Sequence, residues 1–463
     1  MKPLRKQGII IFSILALVLA ACGGDTTEET TVEETTPEVV ETLDSPAVTT
    51  ASGVESGVGV TSDPCPEAIG GIPTGADQSK GCIYLGMLND YTGPYAAAGP
   101  ALETAQRAFW LWANSAGGVG DYSVAIIEGT DTGYNPQKHL EAYNAQKGDV
   151  AALAMSLGTV QTLFILDEMD KDNMVAAPMS WYSGWSYKSV DKGLVIEFGS
   201  AYCADGMNAV DWALANLPVD IKTIGIMGGA GDYGSDWAAG VKYAAEKNGL
   251  TVAWEYVPPS TEFDVAQAVG LMLTKPVDAY FPAIVPSQMA QVAGGAAQQG
   301  VTPIAMLAAP AFNDAFVQEG FALKGLFESG AIYTMAWVAP YEFNSAAHAT
   351  MRATFASMGI DSASSFLVAG WSSQYHMKGV LEAAIKGGDL TRAGIRRAAA
   401  NVYVESDGMM LTRELGQDRA DKESFINIPD GSIASGVKML ASNYVGPSAE
   451  SYDFTQGPCY ASG

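Results

Sequence analysis

The sequence predicts an α/β protein in which two lobes each contain a doubly wound parallel sheet. Residues 82–88 form an almost wholly apolar run, which suits a strand that is buried on both faces of a sheet. Turn-forming residues follow it, and residues 101–112 then carry apolar side chains at helical spacing. The alternation of short strands with amphipathic helices recurs in both halves of the chain, and it is typical of parallel sheets.

The elements of each lobe follow one another in strand–helix steps. In the first lobe the predicted strands are residues 82–88, 122–128, 151–154 and 174–177, and the predicted helices are residues 101–112, 135–147 and 160–170. In the second lobe the predicted strands are residues 222–227, 251–256, 279–282 and 304–308, and the predicted helices are residues 204–217, 235–248, 265–273 and 287–299. Further helices are predicted at residues 345–358, 364–386 and 391–399, and the tail from residue 406 is expected to be loop-rich. We expect the chain to cross between the lobes near residues 198–203 and 332–341.

The N-terminus has the pattern of an export signal. A basic start precedes an apolar stretch, residues 8–21, that is too short to span a membrane comfortably. This stretch ends in Leu19-Ala20-Ala21-Cys22, which resembles the lipobox of bacterial lipoproteins. We therefore predict a lipoprotein signal peptide over residues 1–21 and a lipid on Cys22 that anchors an extracytoplasmic protein to the bacterial cell membrane. The alternative is a plain secretory signal followed by a cysteine by chance.

Residues 22–63 are predicted to be a disordered acidic tether. They hold ten acidic residues and neither Lys nor Arg, and they have too few large apolar side chains to form a core. The whole chain has a formal net charge of -26. Because binding to nucleic acids requires a basic surface, this charge argues against a nucleic-acid partner.

Four cysteines follow the tether: Cys65, Cys82, Cys203 and Cys459. They allow three pairings, and an exported chain meets oxidising conditions that favour disulfides. The short loop between Cys65 and Cys82 favours that pair, which leaves Cys203 with Cys459. The alternative is that the thiols are free and buried.

Two kinds of site are weighed and set aside. Residues 229–234 match the G-x-G-x-x-G pattern between a strand and a helix, but an exported protein does not meet nicotinamide cofactors, and large side chains crowd the loop. A ligand-facing loop is the better interpretation, so we predict no cofactor. His139, His348 and His376 are isolated in the sequence, with no metal-binding spacing, so we predict surface or capping roles for them and no metal site.

Aromatic side chains cluster where predicted strands end. Tyr91 and Tyr95 follow the first strand, and Phe312 follows the strand at residues 304–308. The remaining members of this set are Trp181, Tyr182, Trp185, Tyr187 and Tyr233. Aromatic rings beside hydroxyl groups suit a pocket for a small, partly apolar ligand. For any single ring, packing in a core or between lobes explains its position equally well.

These residues resemble a known family. The segment 88–94, Leu-Asn-Asp-Tyr-Thr-Gly-Pro, together with Gly99, Asp232-Tyr233-Gly234 and the order of elements, is similar to the type I periplasmic-binding proteins. The similarity is greatest to the substrate-binding proteins of branched-chain amino acid ABC importers, and it covers roughly residues 81–400. It implies lobes joined by a hinge, with the ligand in the cleft between them. The implied lobes are residues 64–202 with 332–405, and residues 203–331 with 406–463.

The resemblance also implies ligand contacts. Gly158 and Thr159 match the loop that holds the ligand carboxylate, Met179, Ser180 and Trp181 match a second loop, and Tyr233 matches a tyrosine of the second lobe. Helix N-termini behind the first-lobe loops favour a carboxylate on physical grounds as well. Tyr95, Tyr182, Asp232 and Phe312 complete the predicted ligand-binding set.

One departure from the family bears on the ligand. Amino-acid binders of the family place an acidic residue after the strand that matches residues 304–308, where it pairs with the ligand ammonium. This chain reads Ala-Ala-Pro-Ala-Phe at residues 308–312, and the first carboxylate is that of Asp314. A pocket end without a carboxylate cannot pair with an ammonium, and it avoids the cost of burying an unpaired acid. We therefore expect a carboxylate or amide ligand with an apolar or aromatic body.

Three functions are weighed. The first is a non-catalytic, monomeric solute receptor that is lipid-anchored and delivers its ligand to the permease subunits of an ABC importer. The second is a sensor domain of the same fold, and the third is an exported α/β enzyme that uses a carboxylate pair. The sequence favours the first, since no sensor or kinase segment follows the lobes and no nucleophile elbow or phosphate-binding loop is present.

Overall fold

The computed structural model describes residues 48–49, 53–229, 231–258, 263–410, 413–416 and 421–461. The predicted signal peptide, Cys22 and most of the predicted tether lie outside the described residues. Among the described residues, no helix combines the length and apolar character needed to cross a membrane.

The described chain contains short strands in small sheets and longer strands in two large sheets. Numbered in chain order, the strands are β1 Val48–Thr49, β2 Glu55–Ser56, β3 Val60–Thr61, β4 Ala68–Ile69, β5 Ile72–Pro73, β6 Gly81–Asn89, β7 Tyr122–Ile126, β8 Thr130–Asp131, β9 Ala152–Leu157, β10 Ala176–Met179, β11 Thr223–Gly228, β12 Thr251–Tyr256, β13 Ala279–Ala283, β14 Ile304–Leu307, β15 Ile332–Ala336, β16 Asp389–Leu390, β17 Tyr403–Val404, β18 Arg413–Glu414, β19 Ser424–Pro429 and β20 Val437–Tyr444. The helices are α1 Gly99–Ser115, α2 Pro136–Gln146, α3 Thr159–Asp172, α4 Lys188–Asp191, α5 Tyr202–Asn216, α6 Asp232–Lys247, α7 Val265–Thr274, α8 Pro286–Gln298, α9 Lys324–Phe327, α10 Ala346–Ser357, α11 Ser365–Lys386, α12 Arg392–Ala399 and α13 Pro447–Ser451.

The first lobe is built on the sheet that contains β6. This strand pairs in parallel with β7 and β8 on one side and with β9 on the other, and β10 extends the sheet beyond β9. All residues of β6 except Tyr84 are buried, as expected for a central strand covered on both faces. The helices α1 and α11 pack closely. A Cβ added at Gly370 on α11 would lie only 2.5 Å from the carbonyl oxygen of Leu102 on α1.

The second lobe is built on the sheet with strand order β12-β11-β13-β14-β15-β19-β20. Its first five strands are parallel, and β19 and β20 join them in antiparallel orientation. The helices α5 and α6 lie against each other in this lobe. The predicted fold class, two lobes with largely parallel sheets, is therefore confirmed.

Both predicted disulfides form. Cys65 is bonded to Cys82 at the start of the first sheet, and Cys203 is bonded to Cys459, which ties the C-terminal segment to the first turn of α5. Both Cys82 and Cys203 are fully buried.

The structure corrects the predicted end of the tether. We expected unfolded chain up to residue 63, but β2 pairs with β16 and β3 pairs with β6. The side chain of Val54 is also buried in the main core. The partner strand β16 lies more than three hundred residues away in the sequence, so local composition could not reveal this pairing.

Two segments near the predicted lobe boundaries pair differently from what we expected. We assigned residues 332–405 to the first lobe, but β15 pairs with β14 and β19 in the second sheet. We assigned the chain from residue 406 to the second lobe, but β18 pairs with β17, and the Leu415 amide donates to the Val402 carbonyl. The tail also contains two regular strands, β19 and β20, where we expected loops.

Candidate functional site

A cavity lies between the two lobes at the carboxyl ends of the first-lobe strands. We call it the cleft cavity. Its lining residues are Tyr95, Leu102, Tyr134, Leu157, Met179, Trp181, Tyr202, Pro310, Trp337, Phe366 and Ala369. None of these described lining residues carries a charge, so the cavity suits a ligand whose body is apolar.

The loop after β6 places Tyr95 at this cavity. The carboxylate of Asp90 accepts hydrogen bonds from the backbone amides of Gly93 and Tyr95, at 2.5 and 2.8 Å. The side chain of Asn89 donates to the carbonyl of Gly99 at 2.9 Å, which joins the end of β6 to the start of α1. The turn residues after the first strand therefore hold the tyrosine in a fixed position.

Four tyrosines surround the opening of the cleft cavity. The rings of Tyr95 and Tyr134 are 5.0 Å apart, and those of Tyr202 and Tyr233 are 4.7 Å apart. Burial raises the pKa of each phenol above its ordinary value. Nearby phenols add to the rise for Tyr95, Tyr202 and Tyr233, and the charge of Asp90 adds to it for Tyr134. All four are therefore neutral at physiological pH and can donate hydrogen bonds.

Tyr134 is held in an uncommon backbone conformation. Its φ is 55°, in the left-handed region that residues with a side chain rarely adopt. Gly158, with φ of 102°, lies beside it, and a Cβ added at Gly158 would come within 2.7 Å of Cε2 of Tyr134. The glycine therefore leaves room for the tyrosine ring at the first turn of α3.

Several buried polar atoms near the cavity have no hydrogen-bond partner within the described chain. They are Thr159 Oγ1, Trp181 Nε1 and Trp337 Nε1. Thr159 Oγ1 lies near the Tyr202 phenol without forming a bond of normal geometry. The two indoles stack in parallel, with ring centroids 3.2 Å apart and planes 6° apart. Unpaired buried donors are costly, and a ligand that accepts hydrogen bonds would satisfy them.

The second lobe meets the first at the N-terminus of α6. Gly231 precedes this helix, and a Cβ added there would lie 2.5 Å from Cγ2 of Val160 in the first lobe. Tyr233 adjoins the cavity through its contact with Tyr202. Asp232 does not line the cavity, and burial raises the pKa of its carboxyl.

A buried carboxyl also joins the lobes beside this contact. Asp236 on α6 accepts hydrogen bonds from the amide of Ser183 at 3.0 Å and from the amide of Cys203 at 3.2 Å. Burial raises the pKa of Asp236 to about 7. The group Cys203, Asp236 and Cys459 is close enough for a metal ion, but the disulfide between its cysteines leaves no thiolate to bind one.

The structure brings only part of the predicted ligand-binding set together. Tyr95, Met179 and Trp181 line the cleft cavity, and Gly158, Thr159 and Tyr233 adjoin it. Ser180 and Tyr182 do not: Ser180 accepts a bond from the indole of Trp185 at 3.1 Å, and Tyr182 donates to the carbonyl of Tyr460 at 2.7 Å. Successive side chains of an extended segment point to opposite sides, so Met179 and Trp181 face the cavity while their neighbours face away.

Phe312 lines a neighbouring space rather than the cleft cavity. We call this space the rear chamber. Its lining residues are Ala309, Phe312, Thr334, Met335, Ala336, Trp337, Val338, Ala339, Pro340, Ser365, Phe366, Val368, Ala369, Asn427, Ser435 and Val437.

Sequence reasoning missed four aromatic lining residues: Tyr134, Tyr202, Trp337 and Phe366. Tyr134 follows the short strand β8, and Tyr202 and Trp337 follow segments that cross between the lobes. Phe366 begins the long helix α11. A signal was available in the sequence, because aromatic residues at crossings and helix starts can reach a cleft. The strands β8 and β15, which precede Tyr134 and Trp337, were not predicted.

The predicted surface roles of two histidines are wrong. His139 is fully buried with Nε2 2.9 Å from Ser156 Oγ, and burial lowers its pKa to about 3, so its ring is neutral. The buried His376 places Nδ1 2.6 Å from the Glu197 carbonyl oxygen. His348 is near a helix start, as a capping role requires, and its Nδ1 lies 2.8 Å from Ser345 Oγ.

The two lobes, their parallel sheets and the cavity between them define a two-lobed ligand-binding protein. Residues 82–424 match the model of the periplasmic binding protein family, and the chain belongs to that family. No curated protein sequence is significantly similar to it.

Solved structures share this fold. A fatty acid ABC transporter substrate-binding protein from Thermomonospora curvata is 24% identical, with a TM-score of 0.76 over 87% of this chain and 97% of that one. A branched chain amino acid ABC transporter protein from Thermus thermophilus with bound valine is 12% identical, with a TM-score of 0.66 over 80% of this chain and 98% of that one. A solute binding protein from R. palustris in complex with 4-hydroxybenzoate is 13% identical, with a TM-score of 0.65 over 79% of this chain and 98% of that one.

Proposed function

We propose that the chain is the solute-binding protein of an ABC importer and that it captures a small carboxylate or amide with an apolar or aromatic body. The observation that carries this proposal is the cleft cavity, whose described lining is uncharged and which is bordered by unpaired hydrogen-bond donors. Capture requires no chemical step, because closure of the lobes around the ligand is sufficient.

The donors suit an anionic or carbonyl oxygen. Thr159 Oγ1 and Trp181 Nε1 are buried without partners in the described chain, and the nearby phenols are neutral. Thr159 is also the first residue of α3, whose N-terminal amides favour negative charge. A carboxylate oxygen at this end of the cavity would satisfy several donors at once.

The opposite end of the cavity offers no partner for an ammonium group. The loop after β14 forms a short 3-10 helix, Ala309–Ala311, and contributes Pro310 to the cavity. No carboxylate is found among the described lining residues. A free α-amino acid would bury its ammonium there without a counter-charge, which is costly. Apolar acids such as those named for the fatty-acid and hydroxybenzoate binders fit the cavity better than valine does.

The proposed setting is extracytoplasmic. A lipid on Cys22 would anchor a monomeric receptor to the membrane near permease subunits, and the acidic segment that follows would act as a tether. The mass of the mature N-terminal peptide tests this: an acylated cysteine is expected, and an unmodified N-terminus would contradict the anchor. A sensor that reports the ligand to another protein would have the same cavity. Deletion of the gene separates the two roles, because it should reduce ligand uptake if the protein serves an importer and leave uptake unchanged if it is a sensor.

Calorimetric titration of the full chain with a panel of small solutes tests the ligand class. The panel contains benzoate, short straight-chain acids, their amides, leucine and valine. At least one acid or amide is expected to bind and to stabilise the fold by about 2.7 kcal/mol at a ligand concentration of roughly 100 Kd. The ligand should be recovered unchanged. Tight binding of leucine or valine would contradict the ligand class, and turnover would contradict the receptor function.

Replacement of Gly231 by Ala is expected to weaken ligand binding by about tenfold, because overpacking of this kind typically costs about 1–3 kcal/mol. The added Cβ would press on Val160 of the first lobe only when the lobes are closed. Gly249→Ala is the matched control, since Gly249 also has a positive φ, of 69°, but has no atom within 4 Å of an added Cβ. Both variants should lose stability, as measured by urea denaturation, but only Gly231→Ala should lose affinity. Equal affinities would show that this contact is not part of the bound state.

A further inference from the structure

We propose that the rear chamber holds the tail of the ligand, so that the ligand is a straight-chain alkyl carboxylate whose head lies in the cleft cavity. The inference rests on the proposed function, since it adds a tail to the acid that the cleft is proposed to bind. It selects the linear members of that class over compact aromatic acids.

The rear chamber is apolar. Most of its wall consists of side chains without polar atoms, among them Phe312, Val338, Ala339, Val368 and Val437. Two of its polar residues are satisfied within the protein: Ser435 Oγ donates to Glu342 at 2.7 Å, and Thr334 Oγ1 donates to the Met335 carbonyl at 3.1 Å. None of the lining residues described here is charged. Such a wall favours methylene groups over water.

The chamber adjoins the cleft cavity. Trp337, Phe366 and Ala369 line both spaces. Ala369, on α11, contributes only a methyl group to the shared boundary. Two neighbouring spaces that share part of their lining suit one elongated molecule better than two separate ones.

The unpaired polar atoms set the direction of the ligand. The cleft end has the donors Thr159 Oγ1 and Trp181 Nε1, whereas the unpaired atom found only in the chamber is Asn427 Oδ1, an acceptor. An acceptor repels a carboxylate, and a donor binds it. The head is therefore placed in the cleft cavity and the tail in the chamber.

A compact acid would leave the chamber without contacts. Benzoate could fill only the cleft cavity, and the chamber lining would then lose the dispersion contacts that a filled space provides. An alkyl chain gains these contacts with each added methylene. Chain length is therefore the property that separates the two kinds of ligand.

The test is a titration of the full chain with straight-chain acids from butanoate to palmitate, with benzoate as the compact reference. Affinity is expected to rise roughly fourfold per added methylene, which is about 0.8 kcal/mol, until the chamber is full, and then to level off. Absence of any gain with chain length, while butanoate or benzoate still binds, would overturn the tail assignment alone. If none of the acids binds, the tail assignment is overturned, and the proposed function fails as well if the amides of the calorimetric panel do not bind either.

Variants locate the tail. Ala309→Phe would fill part of the chamber from a half-buried position, and it is expected to lower the affinity ratio of palmitate to butanoate by more than tenfold. Ala349→Phe, on the exposed face of α10, is the matched control and should leave the ratio unchanged. If Ala309→Phe fails to fold, as judged by thermal unfolding, Ala339→Leu places a smaller obstruction in the same chamber. An unchanged ratio in a folded chamber variant would contradict the proposal.

Discussion

Removal of the Cys203–Cys459 disulfide by a double substitution to Ala is expected to lower the free energy of unfolding by about 3–5 kcal/mol. The bond joins residues 256 positions apart, so its loss greatly enlarges the set of unfolded conformations. It also fixes a segment that contacts both lobes. The amide of Cys459 donates to Ser183 Oγ at 3.0 Å, and Tyr182 donates to the carbonyl of Tyr460.

The second disulfide provides the matched comparison. Cys65 and Cys82 are only 17 positions apart, so the corresponding double Ala variant is expected to lose about 3 kcal/mol or less. Urea denaturation of both variants and of the parent chain under oxidising conditions measures the difference. Equal losses would indicate that local strain or packing, rather than the length of the closed loop, determines what each disulfide contributes.

The fold was predictable where the sequence pattern is local. The apolar run that became β6 and the helical repeat that became α1 depend on burial against immediate neighbours, and both extend within a few residues of the prediction. The strand β20 was missed because it lies at the sheet edge, where only Val437 of its eight residues is buried, so its sequence does not show the pattern of a buried strand. The pairing of β2 with β16 was missed because the partner is distant in the sequence.

The site was predictable only in part for a related reason. Tyr95 and Trp181 follow strands, and the rule that ligands bind beyond the carboxyl ends of strands finds them. Tyr202 and Trp337 enter the cavity because the chain crosses between lobes there, and the closeness of the lobes decides whether they reach it. No local sequence pattern predicts how the two lobes pack against each other.

Asp205 occupies a position where three separate parts of the chain converge. It lies on α5, is 1% exposed, and its Oδ1 accepts hydrogen bonds from Ser200, in the first crossing between the lobes, and from Ser424, the first residue of β19. Its Oδ2 has no hydrogen-bond partner within the described chain. Burial raises the pKa of Asp205 to about 7, and the two serine bonds oppose that rise only in part. The carboxyl is thus neutral in mildly acidic solution and charged, at a cost, above neutrality.

The pH dependence of stability follows from this pKa. In the unfolded chain an aspartate loses its proton near pH 4, whereas in the folded chain Asp205 keeps it up to about pH 7. Between these values the folded state binds more protons, so the free energy of unfolding falls as the pH rises and levels off above the folded pKa. The contribution of Asp205 is about 2–4 kcal/mol over the whole window. Asp236, whose pKa is also raised to about 7, adds a slope of the same sign.

The Asp205→Asn variant is therefore expected to have a larger free energy of unfolding than the parent chain at pH 8. Between pH 4 and pH 7 its free energy of unfolding should change by about half as much as that of the parent chain. The amide keeps an oxygen for Ser200 and Ser424 but cannot acquire a charge. Urea denaturation across this range measures the effect, and Asp361→Asn, at an exposed position, is the control that should follow the parent chain. If Asp205→Asn kept the full slope of the parent chain, Asp205 would have to be ionised throughout the range. The cost of burying the ionised Asp205 carboxylate would then be offset by contacts other than the two serine hydroxyls.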